Sequence, residues 1–156
     1  MMMHDDDILE APPRTKIDFS AMAEAVGFRL RRAQLAVYQD FNETFAAKGL
    51  RPTDFAVLLL LSKNPGLKQS EVAEALGIQR ANFVAIIDGL EQKGLAERRK
   101  SESDRRVQSL FITPAGLDYL DEIRPIVREH EDRIIERLGG REARDLLNSL
   151  LIKLYD

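Results

Sequence analysis

The chain has 156 residues, 44% of them apolar, and its 26 acidic and 23 basic side chains give a net charge of −3. That length suits one ordinary domain with a sizeable core. The lack of any cysteine excludes disulfides, thiolate metal sites, thiol nucleophiles and cysteine-based oxidant sensing.

The apolar run Phe55 to Leu61 is too short to cross a bilayer, which takes about 20 apolar residues. The opening MMMHDDDILEAPPRTK lacks the basic-then-apolar order of a signal peptide. A cytoplasmic protein with no membrane partner is expected. Residues 1–17 read as a mobile acidic tail. From about Phe19 to Lys48 the pattern turns helical. Val26, Leu30, Ala33, Val37, Phe41 and Phe45 form one apolar stripe, and Phe28, Leu35 and Tyr38 a second. A helix with two apolar sides is wedged between partners, either inside its own core or against a second subunit. Gly49 fits its C-cap.

Pro52 opens a second helix that runs to about Lys63 and stops at Asn64-Pro65-Gly66. Ser70 to Leu76 makes a short third helix capped by Ser70 and closed by Gly77. A fourth runs from Arg80 to Lys93, with Phe83, Ile86, Ile87 and Leu90 on one side. LAERRK, the turn SESD and the β-prone RRVQSLFI form a hairpin. Thr113 and Pro114 then cap a long helix, broken at Gly139-Gly140. A last helix carries Leu146, Leu147, Leu150, Leu151 and Leu154, an apolar face too large to leave wet. His130 falls in the long helix and His4 in the tail; a lone imidazole there is given no role. The fold class is mainly α with a small β-hairpin wing, a winged helix-turn-helix.

A helix that enters the major groove needs an apolar face to hold it and short or hydrogen-bonding residues opposite. Opposite Phe83, Ile87 and Leu90 lie Gln79, Arg80, Ala81, Asn82 and Ala85, with Asp88 and Gly89 further along. Arg pairs with guanine and Asn or Gln with adenine in bidentate geometry. Such a face alone is weak evidence, since a solvated helix can look the same. The hairpin alters the balance. Arg98, Arg99, Lys100, Arg105 and Arg106 crowd into nine positions of an acidic chain, and their mutual repulsion serves no folding purpose. A basic ribbon beside a candidate reading helix points to a polyanion. Asp104 is placed to pair with Arg106, leaving Arg105 to reach phosphate or a minor groove.

The stretch from Leu50 to Gly116 resembles the winged-helix region of the MarR family of bacterial transcriptional regulators. The likeness is carried by Ala75 to Gly77, LEQKGL at 90–95, and Asp104-Arg105-Arg106 followed by FITPAG. It implies a homodimer held by the helices of 18–49 and 114–156, with 50–113 as the DNA-binding region on a pseudo-palindromic duplex operator. The DNA-binding set is then Ser70, Gln79, Arg80, Ala81, Asn82, Ala85, Arg98, Lys100, Ser103, Asp104, Arg105 and Arg106. The resemblance also implies an aromatic or phenolic acid, or its CoA thioester, that weakens DNA binding. Phe28, Tyr38, Phe41 and Phe55, with Arg31 or Arg32 meeting a carboxylate, are the candidate ligand residues. The sequence departs from the family at Arg51, where threonine is frequent, and at Val84, Ala85 and Gly89, where relatives carry longer polar groups.

No cofactor, metal cluster, glycine-rich phosphate loop or nucleophilic triad is legible, so an enzyme ranks last. The alternative to a repressor is a winged-helix protein-interaction module that binds no DNA.

Overall fold

The computed structural model describes residues 17–101, 104 and 106–156. The tail expected over 1–17 therefore lies, Ile17 apart, outside the described residues. In chain order come a 3-10 turn at Ser20–Met22, α1 (Val26–Phe45), a 3-10 turn at Ala46–Lys48, α2 (Pro52–Lys63), β1 (Leu67–Lys68) and α3 (Gln69–Ala75). They are followed by α4 (Arg80–Gln92), β2 (Ala96–Lys100), β3 (Gln108–Ile112), α5 (Pro114–Leu138) and α6 (Arg141–Ile152). This is the mainly helical fold with a small ribbon that the periodicities predict. The chain divides into two compact units, Met1–Leu35 and Ala36–Asp156.

In the first unit the helix expected from about Phe19 begins only at Val26. The side chain of Asp18 accepts from the Ser20 N–H at 2.8 Å, a local bond that favours a turn over a helix. Phe19 and Phe28 pack with ring centroids 5.6 Å apart, and the Arg32 guanidinium lies 5.5 Å from the Phe19 centroid.

The second unit has two apolar clusters. Val57, Leu58 and Leu61 of α2 meet Val72 of α3, Phe83, Ile87 and Leu90 of α4, and Leu110 of β3. Phe41, Phe45, Leu50 and Ile123 form the other cluster, with Phe55, Ile126 and Val127 against it. Tyr119 and Leu120 of α5 pack against both. These anchors on either side explain why α5 runs on through Pro125 although proline removes one helical hydrogen bond.

Antiparallel β1, β3 and β2 lie side by side in that order, with Leu67 opposite Leu110 and Arg98 opposite Leu110 on the other side. Strand β1 was not expected, because two residues are too few to display an alternation. The start of α3 also differs from expectation. Lys68, not Ser70, precedes the helix, and Glu71 Oε2 accepts from the Lys68 N–H at 2.7 Å. That acid closes the N-terminus and leaves Ser70 exposed. After α3, the Ile78 N–H donates to the Ala73 carbonyl at 2.8 Å around Gly77, whose φ of 62° favours glycine. This turn sets α4 against α3.

Arg51, the departure from the family pattern, has a local role. It sits at the N-cap of α2, where the buried Asp54 accepts from its backbone N–H at 3.3 Å and from its guanidinium at 3.0 Å. The acid at N3 does the capping.

Candidate nucleic-acid interface

Helix α4 buries Phe83, Ile86, Ile87 and Leu90 and exposes Gln79, Arg80, Ala81, Asn82 and Ala85. That is the division a groove-reading helix requires. Gln79 precedes the helix in an extended conformation and makes no side-chain cap. The amides of the first turn, at the positive end of the helix, are where an anion is favoured.

The ribbon beside it is formed by β2 and β3, from Ala96 opposite Ile112 to Lys100 opposite Gln108. At its tip the Ser101 N–H donates to the Val107 carbonyl and the Val107 N–H to the Asp104 carbonyl, both at 3.0 Å. Asp104 Oδ1 accepts from the Arg106 backbone N–H at 2.9 Å. The expected pairing of Asp104 with Arg106 is therefore made through the main chain, which leaves the exposed guanidinium outside that contact. Lys100 is exposed. Ser103 and Arg105 lie outside the described residues.

Two of the ribbon's arginines do have a folding purpose, contrary to expectation. Arg98 is only 17% exposed and bonds to Asp88 at 2.7 Å, to Glu91, and to Gln69 at 3.2 Å. Arg99 pairs with Glu97 and lies 4.2 Å from the Phe111 ring centroid. The carboxylates that neutralise them come from α4 and β2, which the charge count of a single segment overlooks.

Between α3, the start of α4 and the ribbon runs a groove of about 380 Å³, with Lys68, Ser70, Arg80 and Arg106 on its walls and Phe83 among its apolar lining. Ser70, Arg80 and Arg106, three members of the expected DNA-binding set, are thus gathered on one concave surface. Among the described residues, three cations line it.

A MarR family model matches residues 48–107. A protein assigned to regulation of the hcr operon in Thauera aromatica is 37% identical over 136 residues, spanning 86% of this chain and 81% of that one. The transcriptional repressor CouR, solved bound to a 23-mer DNA duplex, is 43% identical with a TM-score of 0.82, over 91% of this chain and 100% of that one. CouR bound to p-coumaroyl-CoA matches at 41% identity and a TM-score of 0.79, over 89% and 97% of the two chains. The chain belongs to the MarR family.

MarR proteins are non-enzymatic transcriptional regulators, and this chain is a DNA-binding repressor of MarR type. Among the described residues, no helix is long and apolar enough to cross a membrane.

The candidate ligand residues of this MarR protein fall in different surroundings. In the first unit Phe28 is half-buried against Phe19, and Arg31 and Arg32 are exposed. In the second, Tyr38 is exposed. Phe41 is a core ring, stacked on Phe45 at 4.3 Å and 5.9 Å from Phe55.

Sequence reasoning missed His130. It is 3% exposed, its Nδ1 lies 2.6 Å from Asp40 Oδ2, and its ring meets Phe41 edge-on. Arg133 donates to both oxygens of Asp40, at 2.9 and 3.2 Å, and to Thr44. These bonds, the Arg133 ones foremost, hold the Asp40 carboxyl down at about 2. The signal was the i, i+3 pair His130 and Arg133 on α5. Its partners on α1 are some 90 positions away, which no local pattern reveals.

Proposed function

We propose that the protein is a dimeric repressor that a small aromatic acid, or its CoA thioester, releases from a pseudo-palindromic operator. The observation that carries the reading is the exposed set Gln79, Arg80 and Asn82 at the N-terminal end of α4, beside a groove shared with Arg106. In this reading Gln79, Arg80 and Asn82 meet base edges, while Ala81 and Ala85 let the backbone approach closely. Ser70, Lys100, Asp104 and Arg106, with Ser103 and Arg105 at the ribbon tip, serve the DNA backbone or hold the turn.

Surface chemistry supports the dimer. Leu146 and Leu150 on the terminal helix and Leu154 in the turn after it are 61%, 52% and 62% exposed in the single chain, a row of large apolar side chains that a second copy would cover. Residues 18–49 and 114–156 form the dimerisation region, and 50–113 the DNA-binding region. Two reading helices about 34 Å apart then reach successive major grooves. A ligand releases DNA only by binding better to a dimer with a different spacing.

The effector class rests on CouR, which was solved with p-coumaroyl-CoA, and on the candidate residues Phe28, Arg31, Arg32, Tyr38, Phe41 and Phe55. Fluorescence anisotropy on a labelled duplex tests it, with p-coumaroyl-CoA, free p-coumarate and free CoA added in turn. Release by the thioester or the acid, with none by CoA, is expected. Binding indifferent to all three would overturn the effector assignment.

A further inference from the structure

We infer that Arg98 positions the wing on the reading helix and does not itself contact DNA. This deepens the DNA-binding reading and rests on it. Its guanidinium gathers groups from two other elements: Asp88 Oδ1 at 2.7 Å and Glu91 from α4, and Gln69 Oε1 at 3.2 Å from the start of α3. The backbone N–H of Arg98 also donates to Glu91 Oε1 at 2.9 Å. One strand residue is thereby tied twice to the same helical carboxylate, and each of its three side-chain nitrogens has a partner inside the protein.

The arrangement answers two separate problems. Arginine's planar fork has a fixed geometry, so several simultaneous bonds fix the angle at which β2 leaves α4. That angle decides where Lys100 and Arg106 fall when α4 lies in a groove. Asp88 and Glu91 would otherwise bring two uncompensated negative charges to a helix that approaches a polyanion. Arg98 pairs with both and offsets one of those two charges, and its small exposure leaves little of it to reach a phosphate.

The inference gives a test whose sign separates the possibilities. Removing the two carboxylates in a D88N/E91Q variant adds two units of positive charge, which by plain electrostatics tightens binding to DNA. It also unties Arg98. If Arg98 positions the wing, the variant binds more weakly in spite of its charge. Affinity for a mixed-sequence duplex is measured by anisotropy over a salt series, using the full chain, the double variant, Arg98→Met and Arg98→Lys. Circular dichroism checks that each variant is folded.

The expected result is at least fivefold weaker binding by D88N/E91Q, with a salt dependence shallower by roughly one for each phosphate contact the wing gives up. A mere loss of folded fraction would leave that slope unchanged. Lysine keeps the charge but not the fork, so Arg98→Lys should restore only part of what Arg98→Met loses. Equal or tighter binding by D88N/E91Q, or an unchanged or steeper slope, would overturn the positioning role. Failure of the unaltered chain to bind the duplex at any salt would instead overturn the DNA-binding reading beneath it.

Discussion

Gly116 lies so close to Leu95 that a Cβ built on it would stand 2.1 Å from the Leu95 carbonyl oxygen and 2.7 Å from Ile112 Cγ1. The same carbonyl accepts from the Thr113 N–H at 3.1 Å, and Thr113 Oγ1 donates to the Gly94 carbonyl at 2.6 Å while accepting from the Gly116 N–H. The start of α5 is thus pressed onto the strand that begins the wing, and the Thr-Pro-Ala-Gly run is what makes that approach sterically feasible. Because the obstructing atom is backbone, it cannot turn aside. Gly116→Ala should cost about 1–3 kcal/mol and lower the melting temperature by roughly 3–10 °C, read by thermal circular dichroism.

The Asp40 cluster predicts a pH dependence. Its carboxyl is held at about 2 in the folded chain, below its unfolded value near 3.9. A depressed carboxyl contributes stability that is fully present above the unfolded value. That stability is lost as pH falls through the folded one. Asp40→Ala should therefore lower stability at pH 7 by about 1–3 kcal/mol, since it leaves the buried His130 without its acceptor. The gap between variant and parent should close as pH falls from about 4 toward 2. Urea unfolding at several pH values measures both; a gap independent of pH in this range would contradict the assignment.

Asn82 and Arg105 should fail in different ways. Asn82→Ala is expected to relax sequence preference, costing about 1–3 kcal/mol on the preferred duplex and little on others. Arg105→Ala, at the wing position the family resemblance assigns to DNA, should weaken all duplexes alike and lower the salt slope by about one. Competition titrations with specific and mixed-sequence DNA separate the two.

Leu150→Lys should break the dimer. A charge buried in an apolar interface without a partner is costly, so sedimentation velocity should show monomer where the parent chain sediments as dimer. DNA affinity should drop with it, because one reading head covers only half of a two-fold site.

Much of this was legible in the sequence. The proline and glycine positions located α2, the turn before α4 and the start of α5. The spacing of Phe83, Ile86, Ile87 and Leu90 fixed which side of α4 faces inward. What stayed hidden depends on distant partners. Arg98 looked like free charge because the carboxylates that bind it stand seven and ten residues earlier, on another element. His130 looked idle because Asp40 is 90 positions away. Ser70 looked like a cap because serine commonly serves as one; Glu71 instead closes the helix on Lys68, two residues before Ser70. The two-residue β1 was below what any periodicity can report.

The central claim is that Gln79 to Asn82 and the wing form one DNA-binding surface. It is tested most directly by a mobility-shift titration of the purified chain on the DNA upstream of its own gene, at two salt concentrations. The account predicts a discrete shift that outlasts competitor DNA and weakens steeply with salt, lost together on Arg80→Ala and Arg106→Ala. No shift on any duplex, or a shift indifferent to both salt and those substitutions, would contradict it.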